Sequence, residues 1–304
     1  MPAVLLLACA LSAADAAWVA SLWNAWDALD SHLPTANAQV VRIVTFDSSC
    51  QWAFEGRTLV RSEAHEGTVG LPNGDEMPPV LTSFVATFGA DDRPFLVISA
   101  PAVWRSQPNL QDEPDLDALL RSVFIHEMTH VLQMPVIGPL VGRLSERLPN
   151  PDELTDDVIQ DTFGDDPEFR KAYERERDLL YEAASEADPG RRATLIREAV
   201  AVMEARRARF FTGDRAFYRE LEDAFLIMEG AANWAGYQAT RQAGADAATA
   251  LTLMRRGGRR WSQDEGLAIF LVLDAQGRAW RDQVFGTSLP PGIPALLTGT
   301  DRGD

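Results

Sequence analysis

His126-Glu127-Met128-Thr129-His130 carries the strongest signal in this chain. On an α-helix, two histidines four residues apart project from the same face, where both imidazoles can hold one Zn²⁺ ion. The glutamate between them is then placed beside the metal. The chain has only 4 His among 304 residues, so chance is a weak explanation for this spacing.

The residues around the motif predict the helix that the motif requires. Pro114-Asp115-Leu116-Asp117 is typical of a helix start, with acidic side chains in the first turn. Apolar residues then recur at three- and four-residue spacing, namely Leu116, Leu119, Leu120, Val123, Phe124 and Val131. Pro135 is expected to end the helix. The alternative for the pair is two ordinary surface or core histidines on an amphipathic helix.

A catalytic zinc site usually has three protein ligands and one open position, so a third ligand remains to be found. The metzincin pattern is excluded, because Gln133 and Val136 stand where it needs Gly and His. We expect Glu229 to be the ligand, since it is a lone carboxylate in the apolar, small-residue segment 225–237. An ionised carboxylate buried there needs a cation or a strong hydrogen-bond partner. Glu153 is the nearer alternative, but its acidic neighbours are typical of a solvated helix start.

Other residues near Glu229 fit a shared metal. The small residues Gly230, Ala231, Ala232 and Gly236 allow a close helix approach, and Asn233, one turn on, could hold a ligand in place. Three alternatives stay open at this point. Glu229 could instead pair with an arginine such as Arg215 or Arg241, and the third ligand could be another acidic residue or one of the two remaining histidines, His32 and His65.

With these residues the chain resembles the zincin superfamily, and within it the gluzincins, thermolysin-like zinc peptidases with H-E-x-x-H on one helix and a glutamate ligand on a later helix. The resemblance implies that His126, His130 and Glu229 bind zinc and that Glu127 is the catalytic acid and base. It covers well under half of the chain. The gap between the two ligand helices is longer than is usual for the family, and Asn233 replaces an aspartate often found one turn after the ligand.

A looser likeness involves three further segments. Asp161-Thr162-Phe163-Gly164, Met228-Glu229-Gly230 and Trp261–Gly266 resemble parts of uncharacterised bacterial proteins that carry the same zinc motif. This likeness names no substrate.

The metal implies the chemistry of amide hydrolysis. Glu127 would take a proton from the attacking water and return it to the leaving amine. A further donor should stabilise the oxyanion, and Tyr237, two turns beyond Glu229, is the residue we expect there; Tyr218 or an arginine is the alternative. No histidine follows His130, so a later histidine is excluded from this role.

The order of elements predicts an α+β, zincin-like fold: a small, mostly antiparallel sheet and the active-site helix, followed by a predominantly helical C-terminal half. Strands are expected at 40–46, 81–88 and 95–99. The last of these precedes the motif helix, the position of the edge strand that pairs with extended substrate in thermolysin-like enzymes. The alternative is an ordinary internal strand.

Turn residues mark two hairpins. Residues 66–79 are rich in Gly, Pro, Asn and Asp and predict a hairpin or loop that overhangs the cleft. Residues 166–210 predict a helical hairpin broken at Asp188-Pro189-Gly190, and its charged faces at 174–182 and 191–209 are expected to be solvated. Ser262-Gln263-Asp264-Glu265 fits a helix capping box; the alternative is that Gln263 or Asp264 faces the cleft.

The N-terminus has the apolar stretch 3–14 and a small-residue cleavage site at Ala14-Asp15-Ala16, which predict a signal peptide over residues 1–16 and export to the periplasm or the cell exterior. Leu6-Leu7-Ala8-Cys9 also fits a bacterial lipobox, which would make Cys9 a lipid anchor. Either cleavage leaves no intrachain pair for Cys50, so we expect no disulfide. The apolar stretch 3–14 is too short to span a bilayer, so we expect no membrane span.

Composition limits the partners. A net charge of −17 disfavours nucleic acid and anionic membranes. We expect one composite catalytic unit in which residues 17–150 form the α+β half and residues 151–304 the helical half, and the oligomeric state is left open. The predicted function is zinc-dependent hydrolysis of peptide or protein substrates. The alternatives are a zinc-bearing binding or scaffold protein without turnover and a hydrolase of a non-peptide amide or ester.

Overall fold

The computed structural model describes residues 9–34, 41–86, 93–113, 115–151, 154–255 and 260–299. The chain divides into two compact units. The first consists of Met1–Met134 with Ala235–Ala250, and the second of Pro135–Trp234 with Leu251–Asp304. The division at residue 150 expected from the sequence stays a prediction.

A five-stranded sheet lies in the first unit. Its strands are β1 (Arg42–Phe46), β2 (Cys50–Glu55), β3 (Thr58–Ala64), β6 (Ser83–Ala86) and β7 (Phe95–Ser99). Their order is β3-β2-β1-β7-β6, and three of the four pairings are antiparallel, with β1 and β7 parallel. The predicted α+β class with a mostly antiparallel sheet is therefore confirmed.

The prediction that 95–99 is an edge strand is wrong. Strand β7 pairs with β1 on one side and with β6 on the other, and all five of its residues are buried. A strand buried on both faces reads as a continuous apolar run, as Phe95-Leu96-Val97-Ile98 does. Among the described strands of this sheet, β6 and β3 hold the two edges.

The turn-rich segment 66–79 contains a two-stranded hairpin. Strands β4 (Val69–Gly70) and β5 (Glu76–Met77) pair antiparallel, and the chain reverses at Asn73-Gly74, where Gly74 has φ of +90°. Asn73 Oδ1 accepts a hydrogen bond from the main-chain N–H of Asp75 and holds the turn. The predicted hairpin is confirmed, and its place over a cleft stays a prediction.

The first described helix, α1 (Ala13–Asp27), begins inside the segment read as a signal peptide. Ser12 caps it by accepting a hydrogen bond from the N–H of Asp15, and Trp18, Trp23 and Trp26 are buried. Just before this helix, Cys9 forms a disulfide with Cys50 at the start of β2. The expectation that the chain has no disulfide is therefore wrong, because it rested on the removal of Cys9.

The helix that carries the motif, α3 (Leu116–Ser145), follows the short α2 (Pro101–Arg105) and continues through Pro135 and Pro139. The prediction that Pro135 ends it is wrong. A proline inside a helix removes one hydrogen bond and crowds the preceding turn, at a cost of roughly 3 kcal/mol. Apolar packing after the proline, where Ile137 and Leu144 are buried, offsets this cost.

The second unit is built from helices. The helices after α3 are α4 (Val158–Phe163), α5 (Pro167–Ser185), α6 (Pro189–Phe210), α7 (Tyr218–Gln242), α8 (Ala247–Met254), α9 (Trp261–Ala275), α10 (Arg281–Val284) and α11 (Ile293–Thr298). The hairpin predicted at 166–210 is confirmed as α5 and α6, and Asp188 caps α6 at the predicted break. A short 3-10 helix, Gly213–Arg215, leads into α7.

The charged faces of this hairpin are not all solvated, so that prediction is wrong for three residues. Glu176, Arg206 and Arg207 are completely buried and bond to one another or to α7. Exposed charged residues such as Arg175 and Arg209 lie close to them in the sequence, which is why the pattern concealed them. No described helix is long and apolar enough to cross a membrane.

Candidate metal centre

The two motif histidines present their ring nitrogens to each other on α3. His126 Nε2 and His130 Nε2 are 3.0 Å apart, and the rings stand nearly perpendicular, with an interplanar angle of 89°. Tetrahedral zinc with Zn–N bonds of 2.0–2.1 Å separates two ligand nitrogens by about 3.3 Å. The pair is thus spaced close to what one shared ion requires.

The apolar face of α3 fixes the direction of these histidines. Leu120, Phe124 and Met128 are buried, and Phe124 packs edge-on against Trp23 of α1 at 5.6 Å between ring centroids. Thr129 is also buried, and its hydroxyl donates to the main-chain oxygen of Ile125. Because the helix is packed along this side, both imidazoles project from the same face in a fixed direction.

Gln133 orients the second histidine. His130 Nδ1 lies 3.1 Å from Gln133 Oε1, and the Gln133 side chain is buried one turn further along α3. An amide oxygen can only accept, so Nδ1 carries the proton and Nε2 keeps its lone pair for a metal. This role of Gln133 was not predicted from the sequence, although a glutamine in an apolar helix one turn after a ligand is a usable signal.

Glu229 lies in the middle of α7 and is only 4% exposed. One ligand atom from each of His126, His130 and Glu229 falls within 4.8 Å of the other two. Among the described histidines, cysteines, aspartates and glutamates, this is the group that meets the spacing needed for a metal ion. Two imidazoles and a carboxylate form the donor set of several catalytic zinc sites, so the residues present fit zinc.

Helix α9 supports the Glu229 carboxylate. Gln263 Nε2 donates to Glu229 Oε2 at 3.1 Å, and Asn233 Nδ2 donates to the main-chain oxygen of Gln263 at 3.2 Å. Asn233 therefore acts on Glu229 through Gln263: it holds the main chain of Gln263, whose side chain donates to the Glu229 carboxylate. Such outer hydrogen bonds fix the orientation of a metal ligand.

Small residues bring α7 and α9 together at this level. A Cβ atom placed on Gly230 would lie 2.6 Å from the main-chain carbon and oxygen of Gly266. The predicted close approach at Gly230 is present, and its partner there is α9. Because Gly230 follows Glu229 directly, this contact sets how near Gln263 comes to the carboxylate.

The predicted capping box at 262–265 is wrong. Helix α9 begins at Trp261 with Arg260 at its cap and no side-chain cap bond, which puts Ser262 inside the first turn. Both Ser262 and Glu265 are buried. Gln263 instead reaches Glu229, and Asp264 accepts from Tyr181 and Arg255.

The two expected catalytic residues lie on the helices that carry the metal ligands. Glu127, next to His126 on α3, is buried, and Tyr237 on α7 is half-buried. Their roles stay predictions. Tyr218, the alternative to Tyr237, is buried in an aromatic cluster and stacks on Phe217 at 4.3 Å.

The residues considered as alternative ligands or as partners of Glu229 differ in their contacts. Glu153 lies outside the described residues, and neither His32 nor His65 belongs to the converging group found in the described chain. His65 Nε2 lies 3.1 Å from the main-chain oxygen of Asp47. Arg241 donates to the main-chain oxygen of Ala245, and Arg215 lies over the ring of Phe163.

Comparisons with models of protein families, with curated proteins and with solved structures find no match to this chain. Its function must therefore be argued from the chemistry of the site.

Proposed function

We propose that the protein is a zinc-dependent hydrolase of peptide bonds, of the gluzincin type that its sequence resembles. The observation that carries this proposal is the convergence of His126, His130 and Glu229 to within 4.8 Å, with Glu127 beside the first histidine. A purely structural zinc site tends to fill its fourth position with a protein ligand and needs no adjacent base. Three ligands and a neighbouring glutamate favour catalysis.

Zinc at this site would act as a Lewis acid, polarising a carbonyl oxygen and making water a stronger acid. His126, His130 and Glu229 would hold it, with Gln133 and Gln263 fixing two of these side chains. Glu127 would accept a proton from the attacking water and pass it to the leaving amine nitrogen. Tyr237, eight residues after Glu229 on α7, is our proposal for the donor to the developing oxyanion.

An extended peptide is the substrate form that the sheet favours. Strand β6 has β7 on one side and no described strand on the other. Such an edge offers main-chain donors and acceptors to an added strand. The chain's net charge of −17 makes nucleic acid and anionic membranes poor partners.

We propose an oxidising location, outside the cytoplasm. The support is the Cys9–Cys50 disulfide, since such bonds persist in exported proteins and are rare in the cytosol. The same sulfur cannot also carry a lipid, and cleavage at Ala16 would remove it. The mass of the purified native protein distinguishes the three forms: full chain with the disulfide, lipidated chain, or chain lacking residues 1–16.

Hydrolysis of a mixed peptide library tests the proposal, with zinc content measured in parallel for the wild type and Glu127→Gln. We expect zinc in both proteins and cleavage by the wild type alone. A wild type that holds zinc tightly but cleaves no peptide would contradict the proposal and favour a scaffold. Cleavage of only non-peptide amides or esters would contradict the substrate class.

A further inference from the structure

A small cavity of about 20 Å³, with room for one or two water-sized groups, lies in the helical unit beside α7 and α9. Four carboxylates line it, from Asp156, Asp157, Glu222 and Glu265. The function proposed above uses none of them.

Three buried polar atoms of the lining residues lack a hydrogen-bond partner among the described residues. They are Asp157 Oδ1, Ser262 Oγ and Glu265 Oε1. Glu265 is only 1% exposed. Leaving such atoms unpaired is costly, so a cavity that collects three of them favours a small group that donates hydrogen bonds.

Buried acidic side chains outnumber buried basic side chains around the cavity. Four carboxylates, from Glu176, Glu222, Asp223 and Glu265, share two guanidinium groups, from Arg206 and Arg207. Arg206 donates to Glu176 and Glu222, and Arg207 donates to Glu222 and Asp223. Neither arginine donates to Glu265 Oε1.

The ionisation of the lining carboxyls agrees with a missing cation. Burial, reinforced by the Glu176 carboxylate, raises the pKa of Glu265 well above its ordinary value. Burial and the neighbouring Asp156 raise the pKa of Asp157 to about 6. A bound cation would let both carboxyls ionise more readily.

Aromatic rings complete the lining. Tyr173 and Trp261 stack with their centroids 4.1 Å apart, and both face the cavity together with Phe225. The lining carboxylates do not belong to the described group spaced for a metal ion, which favours an organic cation over a bare one.

The cavity also lies next to the expected metal ligand. Phe225 and Leu226 line it and precede Glu229 by four and three residues, so the three side chains share one face of α7. Ser262, another lining residue, is followed by Gln263, which donates to Glu229.

We propose that this cavity binds an ammonium group carried by the substrate, because an ammonium group is about the size of a water molecule. That the carrier is a peptide rests on the function proposed above; the binding of the cation does not. The cation would donate to Glu265 Oε1, Ser262 Oγ and Asp157 Oδ1. Its source would be either a lysine side chain or a free amino terminus.

Binding of n-butylammonium, measured by calorimetry in phosphate buffer, tests the cavity directly. The wild type and the zinc-free variant His126→Ala should both bind this cation and should not bind the neutral 1-butanol. Glu265→Gln and Ser262→Ala should each weaken binding about 10- to 100-fold, because the first removes the negative charge that pairs with the cation and the second removes a hydrogen-bond acceptor. Glu198→Gln, an exposed carboxylate on α6, should bind as the wild type does.

Two peptide arms identify the source of the cation. An N-acetylated peptide with an internal lysine competes with n-butylammonium if the source is a side chain, and a lysine-free peptide with a free amino terminus competes if the source is the terminus. No cation binding by the wild type, or binding unchanged in both Glu265→Gln and Ser262→Ala, overturns the inference. If the protein bound the cation but held no zinc, the peptidase proposal would be contradicted and the cation-binding inference would stand.

Discussion

Gln133 is the residue that links the sequence motif to a usable ligand, because its Oε1 lies 3.1 Å from His130 Nδ1. Without that acceptor, His130 can carry its proton on Nε2, the atom that faces His126 Nε2. A proton on Nε2 would have to move to Nδ1 before Nε2 could bind zinc. A side chain outside the metal's own ligands thereby influences affinity.

We predict that Gln133→Met lowers zinc affinity about 10- to 100-fold, the usual effect of losing an outer hydrogen bond to a metal ligand. Methionine keeps the length and apolar packing of the buried side chain while removing the acceptor. Competition with a chromophoric chelator measures the affinity. Gln107→Met, an intermediate-exposure glutamine just after α2, serves as the control. Equal affinities for Gln133→Met and the wild type would show that Gln133 does not set the tautomer.

The residues of the motif could be predicted from sequence because their geometry is local. A spacing of four on a helix places His126 and His130 on one face whatever the rest of the chain does. Glu229 could be proposed from its apolar neighbours. Gln263 could not, since its bond to Glu229 depends on how closely α9 packs against α7.

At the scale of elements, the contact between α7 and α9 depends on two glycines. Gly230 and Gly266 face each other so closely that a Cβ on either would come within 3 Å of the other's backbone. Backbone atoms cannot move aside as a flexible side chain can. The helices must separate if either glycine gains a side chain.

We predict that Gly230→Ala lowers the free energy of unfolding by about 1–3 kcal/mol, as overpacking usually does. Gly142→Ala is the matched control: Gly142 also lies inside a helix, α3, but a Cβ there meets nothing within 4 Å. Alanine should stabilise that site by roughly 0.5–1 kcal/mol. Urea unfolding of both variants checks this. The packing account fails if both substitutions shift stability in the same direction.

The elements themselves were predictable to different degrees. Strand β7 and the α5–α6 hairpin were found because one is an uninterrupted apolar run and the other has a proline-glycine break. Strand β3 was missed, since its exposed residues show no alternation of apolar and polar side chains. The path of α3 through Pro135 was missed because tertiary packing outweighed a local rule.

At the scale of the whole molecule, more acidic than basic side chains are buried together in the interior of the helical unit. Glu265 faces charged groups on three neighbouring helices: Glu176 of α5, Arg206 and Arg207 of α6, and Glu222 of α7. Burial raises the pKa of Glu176 to about 7, against the opposing effect of Arg206. Sequence shows how many charges there are, but not which of them become buried together.

These raised pKa values predict a pH dependence of stability. The folded protein keeps protons on Glu265 and Glu176 that the unfolded chain releases near pH 4.5. The stability that these two groups contribute is therefore fully present below that pH and falls as the pH rises, through about 7 in the case of Glu176. Each such group costs about 1.4 kcal/mol per pH unit within its window. Glu265→Gln, which mimics the protonated acid, should reduce the fall measured by urea unfolding between pH 5 and pH 8.

Glu198→Gln, exposed on α6, serves as the control and should follow the wild type at every pH. If Glu265→Gln showed the same slope as the wild type, Glu265 would not be protonated in the folded state.

The zinc content of the purified protein is the measurement that tests the central claim most directly. Wild type and Glu229→Ala would be equilibrated with buffered free zinc and analysed for bound metal, with Glu220→Ala, an exposed glutamate on the same helix, as the control. We predict one zinc ion per chain in the wild type and in Glu220→Ala, and an affinity at least about 100-fold lower in Glu229→Ala. A wild type without zinc, or zinc held equally well by Glu229→Ala, would contradict the account.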